Sequence, residues 1–214
     1  MTHDPQPPHA PQVPLSKCAF DDPGTRAAWR RARRRVVGRF IGCLIFSLAL
    51  LVLLSLHATE TKKGGPAGLG VALLLGLVVP CVLYVYIGSL LRLRRIRRVL
   101  RSYPWEFRAA ARKHPHVSES YGVAAQVKMG NGDDDWTPAM LLRNPLRWNH
   151  WDTAMESGAW FAGDPAFGGV IALPGGSGLM TFERRSRMSI DEFHEIERDA
   201  ERMGRARSAR IGKR

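Results

Sequence analysis

The sequence predicts a membrane α-helical hairpin of two transmembrane helices, followed by a small β-rich (α+β) cytoplasmic domain and a C-terminal amphipathic helix. Three observations support this fold class: two long apolar runs, an arginine cluster beside each run, and short strand-like segments between glycine and proline turns. The predicted segments are a proline-rich, disordered arm (1–24), a basic juxtamembrane helix (25–39), a first span (40–58), an exterior turn (59–65), a second span (66–91), a basic helical exit (92–101), the β-rich domain (102–188), the amphipathic helix (189–204) and a basic tail (205–214).

The apolar runs, residues 40–58 and 69–91, contain no permanently charged side chain. At about 1.5 Å per residue they extend roughly 28 and 34 Å, enough to cross a hydrocarbon core of about 30 Å. A water-soluble helix of this length normally has a polar stripe, and neither run has one. The basic residues lie too far from the N-terminus for a cleaved signal peptide, so the first run is predicted to be a retained span. Thr25 is the predicted cap of its helix.

The formal net charge of +13 is concentrated beside the two runs. Residues 26–39 contain seven arginines and residues 92–101 contain six, with no acid in either segment. This distribution follows the positive-inside rule and predicts that both termini are cytoplasmic, next to anionic inner-leaflet lipids. The predicted membrane-interface residues are Arg30, Arg31, Arg33, Arg34, Arg35, Arg92, Arg94, Arg95, Arg97 and Arg98.

Apolar side chains near these arginines fit the same interpretation. Trp29 suits a membrane interface, and Leu93, Ile96, Val99 and Leu100 suit a helix that lies in or leaves the lipid interface. Nucleic-acid binding is less favoured, because phosphate-binding faces usually present aromatic or hydrogen-bonding side chains on a folded module.

Small residues recur every fourth position at the start of the second span and would line one helix face. Such a face allows another backbone to approach closely. Closure of the hairpin on itself is favoured over self-association or binding of a protein partner, and both remain open. Pro80 predicts a kink in the same helix. The predicted helix-packing residues are Gly64, Gly68, Ala72 and Gly76.

After Pro104 the pattern changes to short strands. Residues 122–143 read as two strands around a turn at Asn131-Gly132, and three further strands are centred on 160–161, 170–173 and 179–182. Turns at Gly163-Asp164-Pro165 and Pro174-Gly175-Gly176 separate these three, with an Asx-type turn expected at Asp164. The pattern favours a partly closed barrel of about five strands.

The last helix is predicted from a capping box at Ser189 and Glu192 and from an apolar stripe that includes Ile190, Ala200 and Met203. The tail that follows carries five basic residues and no acid. It is interpreted as a disordered arm near anionic lipid or a weak nucleic-acid contact.

Catalytic signatures are not recognisable in the sequence. His114 and His116 lack further ligands at metal-binding spacing, residues 133–135 lack the rest of a calcium loop, and His150 has no identifiable nucleophile or orienting acid. We therefore predict no catalytic residue, no metal site and no cofactor, and the interpretation leans against an enzyme.

Tryptophan is the most distinctive side chain of the β-rich segment. A compact core is the favoured explanation, and an aromatic groove for a peptide or partner strand is the sharper alternative. The possible groove residues are Trp105, Trp136, Trp148, Trp151 and Trp160.

The motifs "YPW" (103–105) and "WFAGDPAFGGVIALPGG" (160–176) resemble two-helix integral membrane proteins of actinobacteria that have a small cytoplasmic β-rich domain. The resemblance covers roughly residues 36–183. It implies a bacterial plasma-membrane location and supplies no activity.

Three functions remain open from the sequence. The leading hypothesis is a non-enzymatic anchor or adaptor that presents a cytoplasmic interaction domain. The alternatives are an accessory subunit of a membrane transport or secretion assembly, and a membrane-tethered nucleic-acid-binding protein.

Overall fold

The computed structural model describes residues 16–60, 66–113, 125–130, 137, 140–145, 151–184 and 199–211. The chain divides into two compact units. We call residues 1–30 together with 92–214 the sheet unit, and residues 31–91 the helical unit. Most of the proline-rich arm, the Asn131-Gly132 turn and the first part of the predicted last helix lie outside the described residues.

Three α-helices are described: α1 (Pro23–Glu60), α2 (Pro66–Ser102) and α3 (Ala200–Ala209). Helix α1 begins two residues before the predicted cap, because Asp22 supplies the capping carboxylate. Its Oδ2 accepts from Thr25 N (2.6 Å) and from Thr25 Oγ1 (2.7 Å). Pro80, the residue at which a kink was predicted, lies inside α2.

Seven antiparallel strands form one sheet in the order β1-β5-β6-β7-β4-β3-β2. Their bounds are β1 Glu106–Arg108, β2 Ala110–Lys113, β3 Ala125–Gly130, β4 Met140–Arg143, β5 Ala159–Asp164, β6 Gly168–Ala172 and β7 Met180–Arg184. The predicted pairing of the two strands within 122–143 and the three later strands is confirmed. Strands β1 and β2 were not predicted.

The sheet is nearly closed into a barrel. Strands β1 and β2 lie at opposite edges of the sheet, yet only Ala109 separates them in the chain. The two edges must therefore approach each other, and a short 3-10 helix, Thr153–Ser157, contacts β2.

Alternation along the strands divides the sheet into an inner and an outer face. On β5, Phe161 points inward and lies 5.6 Å from the ring of Phe182 on β7. Neighbouring positions such as Trp160 point outward. The inner cluster consists of Ala111, Ala125, Val127, Met129, Met140, Leu142, Met155, Ala159, Phe161, Ile171, Met180 and Phe182.

The exit of α2 differs from the sequence interpretation. Leu93, Ile96, Val99 and Leu100 are at most 1% exposed and belong to the sheet unit, so they pack inside the protein instead of facing lipid. Trp29 is also buried, at 7% exposure. The apolar positions between the arginines are therefore core positions, which the sequence cannot distinguish from a lipid-facing stripe because both have the same helical spacing.

Within the helical unit, α1 and α2 touch. The rings of Phe40 and Tyr86 lie 5.6 Å apart, and Cys43 Sγ lies 3.4 Å from Tyr86 Oη. Many apolar side chains of this unit are exposed, among them Ile45, Phe46, Leu48, Leu53, Leu56, Tyr84 and Ile87.

Among the described residues, one helix is long and apolar enough to cross a membrane. It is the segment Pro23–Leu53 near the N-terminus, where the most apolar window has a mean hydropathy of 2.5 and is 6% buried. Its length and composition fit a membrane span and equally a signal sequence. The second span stays a prediction.

Candidate functional site

The two long helices join the sheet unit at a junction formed by the start of α1 and the end of α2. Trp29 Nε1 donates to Leu93 O (3.0 Å), which fixes α1 against α2. Ten residues earlier in the chain, at the start of a short 3-10 helix (Ala19–Asp21), Ala19 N donates to Tyr103 O (2.8 Å). The chain therefore leaves the sheet unit and returns to it at neighbouring points.

A cation–π stack reinforces this junction. The guanidinium of Arg97 lies 5.3 Å from the Trp29 ring and 5.6 Å from the Phe20 ring, and the guanidinium of Arg101 lies 5.4 Å from the Phe20 ring. Phe20 also meets Trp29 edge to face, at 5.8 Å. Arginine suits this position because its planar group stacks on aromatic faces.

The end of α2 is also bound to the outer face of the sheet. Glu183 on β7 accepts from Arg95 (2.6 Å) and lies 3.2 Å from Arg143 Nε on β4. Arg92 Nη1 reaches Asn144 O at 3.4 Å. One carboxylate therefore links a helix and two strands, so two arginines of the basic exit have structural roles.

Trp105 and Trp160 form the aromatic centre of the same region. Their rings lie 5.8 Å apart, and they are 3% and 5% exposed. Trp105 Nε1 donates to Thr25 Oγ1 (3.0 Å), a hydroxyl that in turn donates to Asp22. These hydrogen bonds therefore connect a segment that precedes the helical unit in the sequence with a segment that follows it.

Helix α3 packs on this region through Asp164, at the end of β5. The expected Asx turn is present, because Asp164 Oδ1 accepts from Ala166 N (2.8 Å). The same carboxylate, 4% exposed, accepts two hydrogen bonds from Arg202, one of them from Nη2 at 2.8 Å. This hydrogen bond is the main reason that the pKa of Arg202 is raised.

Tyr103 lies between the end of α2 and α3. Burial and the negative charge of Asp164 raise the pKa of its hydroxyl to about 12, against opposing effects of Arg205 and Arg202. Arg205 stands 5.9 Å from the Tyr103 ring. The hydroxyl makes no hydrogen bond within the described part of the chain. These contacts hold a neutral tyrosine beneath α3.

Helix α3 corrects the interpretation of the basic tail. Residues 205–209 are helical instead of disordered, and Ala206 and Ala209 are buried. The helix starts from Asp199, whose side chain accepts from Arg202 N (2.9 Å). The sequence does not reveal this start, because the predicted apolar stripe from Ile190 to Met203 runs through it.

The five possible groove tryptophans have different positions. Trp105 and Trp160 come together but are interior residues and line no open surface. Trp151 is half-buried against the inner cluster, and its Nε1 donates to Glu156 Oε1 (2.8 Å). Trp136 and Trp148 lie outside the described residues.

The predicted membrane-interface arginines fall into two groups. Arg95 and Arg97 are engaged in the contacts described above, and Arg92 is half-buried. The exposed members are Arg30, Arg31, Arg33, Arg34, Arg35, Arg94 and Arg98.

The predicted helix-packing positions lie in or before the first half of α2. Gly68, Ala72 and Gly76 are helical, and Gly64 lies outside the described residues, so their packing role stays a prediction. On α1, a side chain added at Gly38 or Gly42 would meet no atom within 4 Å.

Within the described ranges no three His, Cys, Asp or Glu side chains are grouped so that they could hold a metal ion. His114, His116, residues 133–135 and His150 lie outside those ranges. Comparisons with protein-family models, with the curated proteins and with the solved structures gave no match to this chain.

Proposed function

We propose that this protein is a double-spanning anchor or adaptor of the bacterial plasma membrane, which holds its sheet unit at the cytoplasmic face. One observation carries the proposal: the sheet unit contains residues from before and after the helical unit. A chain that leaves a folded unit and returns to it crosses a bilayer an even number of times. If α1 spans the membrane, α2 must return through it.

The exposed surface of the helical unit supports the same proposal. Its large apolar side chains, such as Phe46 (70% exposed) and Leu53 (65%), would form a contiguous apolar area unusual for a soluble protein. The contact between Tyr86 and the residues Phe40 and Cys43 keeps the two helices together as a hairpin would require.

The non-enzymatic part of the proposal rests on how charged side chains are used. In the described part of the sheet unit, Asp164 and Glu183 are each held by arginines, in contacts that join secondary-structure elements. Such groups stabilise a fold and are poorly placed to act as free acids or bases. The sheet unit is thereby suited to present a fixed surface to a partner.

A pull-down from cross-linked whole cells tests the adaptor role, because a variant without the helical unit is expected to leave the membrane fraction. The full chain is compared with a variant in which residues 31–91 are replaced by a flexible glycine-serine linker, so that the sheet unit is kept. An adaptor recovers the same partners in both forms. Partners recovered by the full chain alone would contradict the proposal and favour the accessory-subunit alternative.

The matched control for that alternative is the double substitution Gly68→Leu and Gly76→Leu in the full chain. A subunit that assembles through this helix face loses its partners, whereas an adaptor keeps them. Binding of the linker variant to DNA, weakening steeply with salt, would instead support the nucleic-acid alternative.

A further inference from the structure

The arginines around the junction differ in what they contact, although they are close together in the sequence. On α2, Arg95 binds Glu183 and Arg97 stacks on Trp29, while Arg94 and Arg98 are exposed. Arg94 and Arg98 are one turn apart and therefore share a helix face. In the described structure Arg94 and Arg98 form the outward face of the basic exit, and Arg95 and Arg97 flank that face on either side.

Arg30 on α1 adjoins the residue through which α1 is hydrogen-bonded to α2. It follows Trp29, whose Nε1 donates to Leu93 O, and Arg94 follows Leu93. All three arginines are exposed and belong to the sheet unit. We call Arg30, Arg94 and Arg98 the basic collar.

We propose that the basic collar binds the phosphate headgroups of anionic phospholipids, and that it does so in preference to zwitterionic ones. The inference rests on the proposed membrane anchoring and identifies the lipid that anchoring selects. In the chain, Arg30 directly precedes the helical unit, and Arg94 and Arg98 follow shortly after it. Guanidinium groups bind phosphate oxygens through paired N–H donors.

The collar is separate in role from the neighbouring arginines. Removing Arg95 or Arg97 would disturb the sheet unit itself, because both hold α2 in place. Removing collar arginines should leave the fold intact, since substitutions at exposed positions usually change stability little. The collar can therefore be tested without unfolding the protein.

The test is native mass spectrometry of the full chain in detergent, titrated with phosphatidylglycerol or with phosphatidylcholine. The variant R30Q/R94Q/R98Q is compared with the control K17Q/K128Q/R207Q, which removes three exposed positive charges elsewhere in the described structure. The collar variant should lose about fivefold in phosphatidylglycerol affinity per arginine, roughly a hundredfold in all. The control should keep the preference, and so should R30K/R94K/R98K in large part.

Three results would overturn the inference. They are an unchanged preference in the collar variant, an equal loss in the charge-matched control, and displacement of the lipid by inorganic phosphate at comparable concentration, which would mean a phosphate site. Retention of the full chain in carbonate-washed membranes tests the anchoring independently. A chain that stays in these membranes but lacks the lipid preference contradicts the collar alone.

Discussion

Thr25 joins the capping of α1 to the aromatic centre of the sheet unit. It is fully buried, and its Oγ1 accepts from Trp105 Nε1 while donating to Asp22. In Thr25→Val the shape is kept, but the buried indole N–H loses its acceptor, which costs about 2 kcal/mol. Thr25→Ser keeps the hydroxyl and should cost clearly less. Urea unfolding of the full chain in detergent, followed by tryptophan fluorescence, measures the free energy of unfolding of both variants. An equal loss of this free energy in the two variants would contradict the role of the hydrogen bond.

Tyr103 makes the stability of the fold depend on pH in the alkaline range. Its pKa is about 12 in the folded chain against 10.0 ordinarily, so the fold favours the neutral hydroxyl. The stabilisation is complete below pH 10 and is lost as pH rises from 10 to about 12. Tyr103→Phe removes this contribution. The unfolding midpoint of wild type should fall relative to Tyr103→Phe across that window, and a constant difference between the two would contradict the prediction.

At the scale of elements, the pairing of β5 with β6 next to their turn depends on Gly163, which lies opposite Gly169. Its φ is +150°, and an added Cβ would lie 2.5 Å from Gly168 O and Gly169 Cα, which are backbone atoms. Gly163→Ala should therefore destabilise the chain by about 3 kcal/mol. Gly175 also has positive φ (+88°) but open space around it, so Gly175→Ala should cost only about 1 kcal/mol. Equal unfolding midpoints for the two variants would refute the steric explanation.

The elements with a local signal could be predicted from sequence. Strands β5, β6 and β7 have aromatic or β-branched residues between glycine and proline turns, and the predictions for all three are confirmed. Strands β1 and β2 are short and rich in alanine and charge, and pairing with distant strands outweighs their local preference. The Trp105–Trp160 contact likewise depends on long-range pairing, so spacing alone could not indicate it.

The exit of α2 shows a second limit of sequence reasoning. A stripe of apolar residues among arginines predicts an amphipathic helix correctly, but it does not tell whether protein or lipid covers the stripe. The stripe is buried within the sheet unit, and Arg95 and Arg97 are held by acidic and aromatic partners far away in the chain. The sequence therefore does not indicate the junction, because its contacts join residues that are distant in the chain.

For the whole molecule, the division into units predicts which fragments fold. A chain starting at residue 102 lacks the start of α1, which binds Trp105, and the end of α2, which binds Glu183. It should therefore aggregate or unfold at a lower temperature. The variant with a glycine-serine linker in place of residues 31–91 keeps these ends and should be a soluble monomer. Size-exclusion chromatography and thermal unfolding compare the two, and a stable fragment 102–214 would contradict the shared junction.

The central claim is that residues 31–91 form a hairpin across the membrane. The two chain segments of the sheet unit, before and after this hairpin, would then both lie on the cytoplasmic side. Cysteine labelling in intact bacterial cells tests it most directly, using a cysteine-free chain with single cysteines at Lys17, Thr61 or Arg207 and a maleimide that cannot cross membranes. We expect labelling at position 61 in intact cells, and at positions 17 and 207 only after lysis. Labelling of 17 and 207 from opposite sides, or protection of 61 until lysis, would contradict the account.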